Sequence, residues 1–168
     1  MFGFSVFLNE DMTQEKETYM KHMLKSGFKG IFTSIHIPED DDNKYLSRLQ
    51  KLGSFAKEHQ IALVVDISGS ALEKLGVTFT DVSPLKKMGI TAIRIDYGIS
   101  MESVAQASRA IGVALNASTL SEQDLALLKQ YEANFENMEA WHNYYPRPET
   151  GLGKHDFQAH NKKLRAAG

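Results

Sequence analysis

Two hydrophobic periods alternate along the chain. Short runs of apolar, β-branched and aromatic residues occupy Phe4 to Leu8, Lys29 to Ile35, Ile61 to Asp66, Ile90 to Asp96, Ile111 to Asn116 and Asn137 to Trp141. Runs of this length between turn signals read as strands buried on both faces, the signature of a parallel sheet. Between them the apolar residues recur at helical spacing. Met20, Met23 and Leu24 follow a Thr13 N-cap and stop at Gly27, and Tyr45, Leu46, Leu49, Leu52, Phe55 and Ala56 run on to His59, which is expected to cap that helix end. Shorter helical pieces are expected at Ala71 to Leu75 and from Asp81 to Met88, with Pro84 in the first turn of the second. Met101 to Ala107, Ser121 to Tyr131 and Lys154 to Ala167 complete the helices. The order is six successive βα units.

The strands do not end alike by accident of composition. Val65-Asp66 and Ile95-Asp96-Tyr97-Gly98 each close an apolar run with a carboxylate before a loop, and Glu10 follows the first strand two residues after Leu8. Asn116 closes the fifth strand, and the sixth leads into His142-Asn143-Tyr144-Tyr145-Pro146. Polar residues at the carboxyl ends of parallel strands are where a (β/α)₈ barrel carries its chemistry. An α/β fold of the TIM-barrel type is therefore expected, cut short after about six units, with residues 1–168 forming one domain incomplete at its C-terminus. A doubly wound open sheet is the alternative, but Leu8-Asn9-Glu10-Asp11 holds none of the glycines of a phosphate-binding first turn.

Composition narrows the classes. With 19 lysines and arginines against 21 acidic residues, the net charge of −2 gives no electrostatic reason to expect nucleic acid. No cysteine is present, which excludes disulfides, thiolate metal sites and a cysteine nucleophile from this sequence. No apolar run reaches the roughly 18 residues of a membrane span, and a cytoplasmic protein without membrane partners is expected. The six histidines are scattered, so no metal site or other cofactor is expected. The acidic run Glu39-Asp40-Asp41-Asp42 lacks the spacing and glycine of a calcium loop and reads as a helix start.

What remains is carboxylate chemistry. Two rim carboxylates with different environments divide acid and base or nucleophile duties. Glu10, Asp66 and Asp96 are the candidate catalytic residues. Each also has a structural reading, as a helix cap or an ion-pair partner. Arg94 lies two residues before Asp96 and so on the same side of the strand, where a contact would hold Asp96 ionised. Arg94, Asn116, His142, Asn143 and Tyr145 are the candidate substrate-binding residues, suited to hydrogen bonding or stacking on a sugar. No strand end carries a lysine for a Schiff base, and no Gly-x-Ser-x-Gly elbow is present.

These segments together resemble the MupG-type 6-phospho-N-acetylmuramidases. The resemblance is carried by Gly3-Phe4-Ser5-Val6 with Glu10, Gly27-Phe28-Lys29-Gly30-Ile31-Phe32-Thr33, Val65-Asp66-Ile67 and Leu75-Gly76. It continues through Ile93-Arg94-Ile95-Asp96-Tyr97-Gly98, Leu115-Asn116-Ala117-Ser118, His142-Asn143-Tyr144-Tyr145-Pro146 and Thr150-Gly151-Leu152. It implies a (β/α)₈ barrel followed by a cyclophilin-like domain, the latter absent from this chain. It also implies a glycoside hydrolase that cleaves the β-1,4 bond between N-acetylmuramic acid 6-phosphate and N-acetylglucosamine in cytoplasmic peptidoglycan recycling. The partner would be that small phosphorylated disaccharide. Two other classes compete: a non-hydrolytic sugar-phosphate enzyme of isomerase or aldolase type, and a catalytically inactive sugar-binding barrel.

Overall fold

The computed structural model describes residues 3–35, 42–95, 98–117, 119–141 and 157–167. Six parallel strands, β1 (Gly3–Ser5), β2 (Gly30–Ser34), β3 (Ala62–Ile67), β4 (Ala92–Ile95), β5 (Gly112–Asn116) and β6 (Met138–Trp141), pair in sequence order. They alternate with helices α1 (Gln14–Lys25), α2 (Asp42–Glu58), α3 (Gly69–Lys74), α4 (Ser83–Lys87), α5 (Met101–Ser108) and α6 (Glu122–Gln130). A 3₁₀ turn at Phe135–Asn137 precedes β6, and α7 (Phe157–Ala167) packs on α6. Sequential order with every pair parallel is the topology of a TIM-type barrel, and the sheet is a curled arc of six of its strands.

Four of the helices are started by a capping side chain of their own. Thr13, Ser68, Ser100 and Ser121 accept from backbone N–H groups as N-caps, and Ser121 with Asp124 forms a full capping box. The ring nitrogen Nδ1 of His59 lies 3.0 Å from Phe55 O, closing α2 as its position implied. One contact fixes how α2 meets the sheet: a Cβ on Gly53 would lie 1.6 Å from Met88 O, and Gly89, at φ +92°, faces Gly53 from the other side.

Successive strand residues point to opposite faces, with Val64 and Ala114 buried on the concave side as well. Phe4, Val6 and Leu8, then Ile31 and Ile35, Leu63, Val65 and Ile67, Ile93 and Ile95, and Val113 and Leu115 join one core with the helices. The opposite, concave face carries Ser5, Phe32, Ser34, Val64, Asp66, Ala92, Arg94, Gly112, Ala114, Asn116, Glu139 and Trp141. The first strand is shorter than the expected Phe4 to Leu8. Val6 N still donates to Phe32 O at 2.9 Å, but beyond it the carbonyls of Phe7, Leu8 and Asn9 are taken by the side chains of Lys16 and Arg48. Side-chain cations replace the sheet ladder there. Among the described residues no helix is long and apolar enough to cross a membrane.

Candidate active site

The strand register resolves the concave face into layers. Phe32 shares its row with Val64, Ala92 and Gly112, and Val113 pairs with Met138. Yet the side chain over the Phe32 ring is Arg94, two residues beyond that row, with its guanidinium carbon 5.7 Å from the ring centroid. The ring beside Phe32 is that of Trp141, four residues beyond the row, at 6.2 Å between centroids. An advance of two residues over two strands and four over four is one residue per strand, the stagger of a closed eight-stranded barrel. Phe32, Arg94 and Trp141 thus form one layer from alternate strands. By the same stagger Asp66 and Asn116 lie one residue higher, toward the carboxyl ends, Ser34 lies two higher, and Glu139 lies two lower.

Small residues make room for this layer. Gly112, whose added Cβ would stand 2.9 Å from Ala92 Cβ, and Ala114 line the interior where the Trp141 indole lies. The indole N–H of Trp141 donates to Glu139 Oε2 at 2.7 Å, fixing the ring. Neither Trp141 nor Phe32 was a sequence candidate, because each reads as strand core until the stagger is known. Glu139 is placed at the lower, amino-terminal side of the arc, where barrels keep stability rather than chemistry.

The candidates from the sequence separate into different surroundings. Asp66 is half-buried on the concave face, where Oδ2 accepts from Ser34 Oγ at 3.4 Å. Arg94 is its register partner on β4, yet the two form no ion pair with each other; the guanidinium turns toward Phe32. Its Nε is buried and has no hydrogen-bond partner among the described residues. Asn116 ends β5 with its carbonyl accepting from Thr119 N and Leu120 N, and lines a cleft of about 240 Å³ with Ile99, Thr119 and Asp124.

Glu10 stands at the rim beyond β1, 73% exposed, with Oε2 3.6 Å from Lys16 Nζ. Its loop is held from α2. Arg48 Nε donates to Asp11 Oδ1 at 2.9 Å, and the hydrogen bond and charge of Arg48 hold the Asp11 carboxyl below its ordinary value. Lys16 Nζ closes the loop from α1 by donating to Phe7 O and Glu10 O, both at 3.3 Å. Arg48 was missed in the sequence because an arginine in the middle of an amphipathic helix reads as its solvent face. Asp96, His142, Asn143 and Tyr145 lie outside the described residues. Among the described residues no group of three or more histidine or acidic side chains is placed to hold a metal ion.

A parallel arc staggered like a barrel, with acidic and amide side chains at the carboxyl ends of its strands, defines a TIM-type barrel fold. The chain belongs to the 6-phospho-N-acetylmuramidase N-terminal family, whose model matches residues 2–168. A conserved protein of unknown function from a locus in Enterococcus faecalis has a crystal structure that matches at 47% identity and a TM-score of 0.87. The match covers 99% of this chain and 46% of that one, so the chain spans about half the length of this relative. The structure of DHPS from Yersinia pestis with a pterine-sulfa conjugate matches at 13% identity and TM-score 0.61, covering 99% of this chain and 69% of that one. The tryptophan synthase alpha chain from Legionella pneumophila matches at 12% and 0.62, covering 100% and 68%. At these identities the last two show the barrel fold alone. Among curated proteins none matches the chain.

Proposed function

We propose that the protein is a cytoplasmic glycoside hydrolase of peptidoglycan recycling, cleaving the β-1,4 bond between N-acetylmuramic acid 6-phosphate and N-acetylglucosamine. The observation that carries this reading is the family match over residues 2–168, joined to a carboxylate, Asp66, on the concave face at the carboxyl end of its strand. Glu10 serves as proton donor and Asp96 as its partner, with Asp66 as the alternative partner or the group that orients the substrate amide. Asn116, His142, Asn143 and Tyr145 bind the sugar by hydrogen bonds and stacking. The second half of the relative's length supports a further proposal, that the segment works within a longer chain that closes the barrel.

The chemistry divides as follows. Glu10 stands exposed at the rim beside Lys16, open to substrate from the solvent side. Asp66 is half-buried on the concave face, with Oδ2 3.4 Å from Ser34 Oγ, at the carboxyl end of its strand where it faces the interior of the arc. No described strand residue is lysine, which leaves Schiff-base chemistry without a nucleophile on this arc.

The test is release of N-acetylglucosamine from the phosphorylated muramyl disaccharide, measured beside the Glu10→Gln, Asp66→Asn and Asp96→Asn variants. Loss of roughly 10²-fold or more in kcat from at least two of the three, with binding retained, is the expected result. Full activity in all three sinks the carboxylate reading, and no release by the folded parent protein sinks the glycosidase reading.

A further inference from the structure

Phe7 is the most exposed of the large apolar side chains among the described residues, at 73%, although Val6 and Leu8 on either side of it are buried. Its position makes that exposure informative. Val6 N still donates to Phe32 O, so the alternation of β1 carries through and Phe7 follows Ser5 onto the concave face. By the stagger of one residue per strand, Ser5 shares a layer with Asp66 and Asn116, and Phe7 stands two residues above it, about 6 Å nearer the mouth. Alternate residues of a parallel strand turn their backbone groups to opposite edges, and Val6 gives its own to β2, so Phe7 O points to the outer edge of β1. That oxygen accepts from Lys16 Nζ at 3.3 Å. A strand added along the outer edge meets an acceptor already taken by a cation, so its ladder stops short of Phe7 and leaves the ring at the mouth. The same ammonium donates to Glu10 O at 3.3 Å and lies 3.6 Å from Glu10 Oε2, which ties the backbone of Phe7 to Glu10.

We propose that Phe7 is a ring-stacking residue of the substrate site, taking the C–H face of the uncharged sugar that is released on cleavage. The inference rests on the glycosidase reading and deepens it by naming which part of the substrate lies against β1. A phenyl ring has no hydrogen bond to give, so the partner it selects presents an apolar face. The N-acetylglucosamine ring does so: its ring substituents are equatorial, and the axial hydrogens at C3 and C5 project together on one side. A proton donor stands beside the oxygen that leaves, so the ring on the Glu10 side is that of the departing sugar. Asp66, in the layer below, faces the ring that stays.

The experiment is proton NMR titration of N-acetylglucosamine and of N-acetylmuramic acid 6-phosphate with the parent protein, Phe7→Leu, Phe7→Ala and Phe7→Tyr, beside steady-state kinetics on the disaccharide. Leucine keeps apolar bulk without a ring, and tyrosine keeps the ring. Melting curves establish that each variant is folded. The parent is expected to shift the C3 and C5 hydrogens of N-acetylglucosamine upfield by ring current, and Phe7→Tyr to retain that shift. Phe7→Leu and Phe7→Ala should lose it and bind N-acetylglucosamine roughly 5- to 10-fold more weakly, with KM raised by a similar factor, kcat changed little and N-acetylmuramic acid 6-phosphate bound as before. A Phe7→Leu variant that binds and shifts N-acetylglucosamine as the parent does, equal loss for both sugars, or no ring-current shift with the parent overturns the proposal. So does a variant that melts much lower yet keeps both sugars, because the chain itself then covers the ring. N-acetylglucosamine stacked on Phe7 without any hydrolysis of the disaccharide leaves this site standing and sinks the glycosidase reading alone. Hydrolysis with KM and sugar binding unchanged in Phe7→Ala does the reverse.

Discussion

Arg48 and Asp11 join α2 to the loop after β1: Nε donates to Oδ1 at 2.9 Å, while Nη1 of the same arginine takes Leu8 O and Asn9 O at 3.1 Å each. Glu10 sits between those anchors, so the position of the proposed acid depends on a side chain from a different helix. Replacing Arg48 with Met removes every anchor from α2 at once and leaves Glu10 tethered by Lys16 alone. Turnover should fall about tenfold or more, as misplacing a catalytic group does, with KM changed little. Steady-state kinetics check this, and a large rise in KM with kcat unchanged is the opposing result.

The same pair carries a pH signature. Asp11 is held below the ordinary aspartate value of 3.8 by the hydrogen bond and charge of Arg48. A carboxylate depressed in the folded state adds stability above its unfolded pKa, and that contribution is lost as the pH falls through the folded one. The parent's advantage over Arg48→Met should therefore shrink below about pH 3.8, as the Asp11 contribution is lost, and be full at pH 7. Thermal midpoints of both proteins between pH 2 and pH 7 test the sign. An advantage that grows on acidification contradicts it.

Gly53 lies in the middle of α2, where glycine is a poor choice for a helix. The structure gives the reason, since a Cβ there would stand 1.6 Å from the carbonyl oxygen of Met88, which cannot retreat as a flexible side chain does. Gly53→Ala is expected to destabilise by at least about 2 kcal/mol, although alanine is intrinsically the better helix former by about 1 kcal/mol. Denaturant unfolding decides between the two terms. A stabilised variant means that α2 and the turn before β4 are farther apart than the geometry here.

Much of this fold was legible in the sequence because both periods are strong. The caps Thr13 and Ser121, the stop at Gly27, the closing role of His59 and all six strands stand where their residue types require. The layer of Phe32, Arg94 and Trp141 was not legible. Alternation along a strand says which face a residue joins, but the height of that residue inside a barrel depends on the stagger between strands, which no single strand encodes. Arg48 was illegible for a related reason: its partners lie 37 to 40 residues away, on a loop that only the packing of α2 brings near. Of the candidate catalytic residues, Asp66 stands on the concave face near the end of β3, whereas the exposure of Glu10 and its pairing with Lys16 are set by α1.

Trp141 is the only tryptophan of the chain, so its emission reports one place. The indole N–H is bonded to Glu139, a contact between side chains that are partly accessible. Glu139→Ala should shift the emission maximum and increase indole mobility while changing stability by less than about 1 kcal/mol, because the carboxylate is exposed. Fluorescence anisotropy and unfolding curves test both halves. Unchanged emission and anisotropy would falsify the view that Glu139 fixes the ring.

Ser108 holds the turn that leads into the strand of Trp141. It is fully buried at the end of α5, where Oγ donates to Ala105 O at 2.7 Å and accepts from Asn134 N at 2.8 Å. Its own carbonyl accepts from Asn137 Nδ2 at 2.8 Å, so a single residue holds both ends of the turn that delivers β6. Ser108→Ala leaves the N–H of Asn134 without its acceptor, at an expected cost of about 1–3 kcal/mol. Because Trp141 is the last residue of that strand, the loss should also appear as altered Trp141 emission in the folded protein. Combining Ser108→Ala with Asn137→Ala gives a coupling energy. Both substitutions loosen the same turn, so their effects should be less than additive, with the double variant more stable than the sum of the two losses implies. Strict additivity would mean that the two side chains hold β6 independently and that α5 does not set the register on which the Phe32 layer depends.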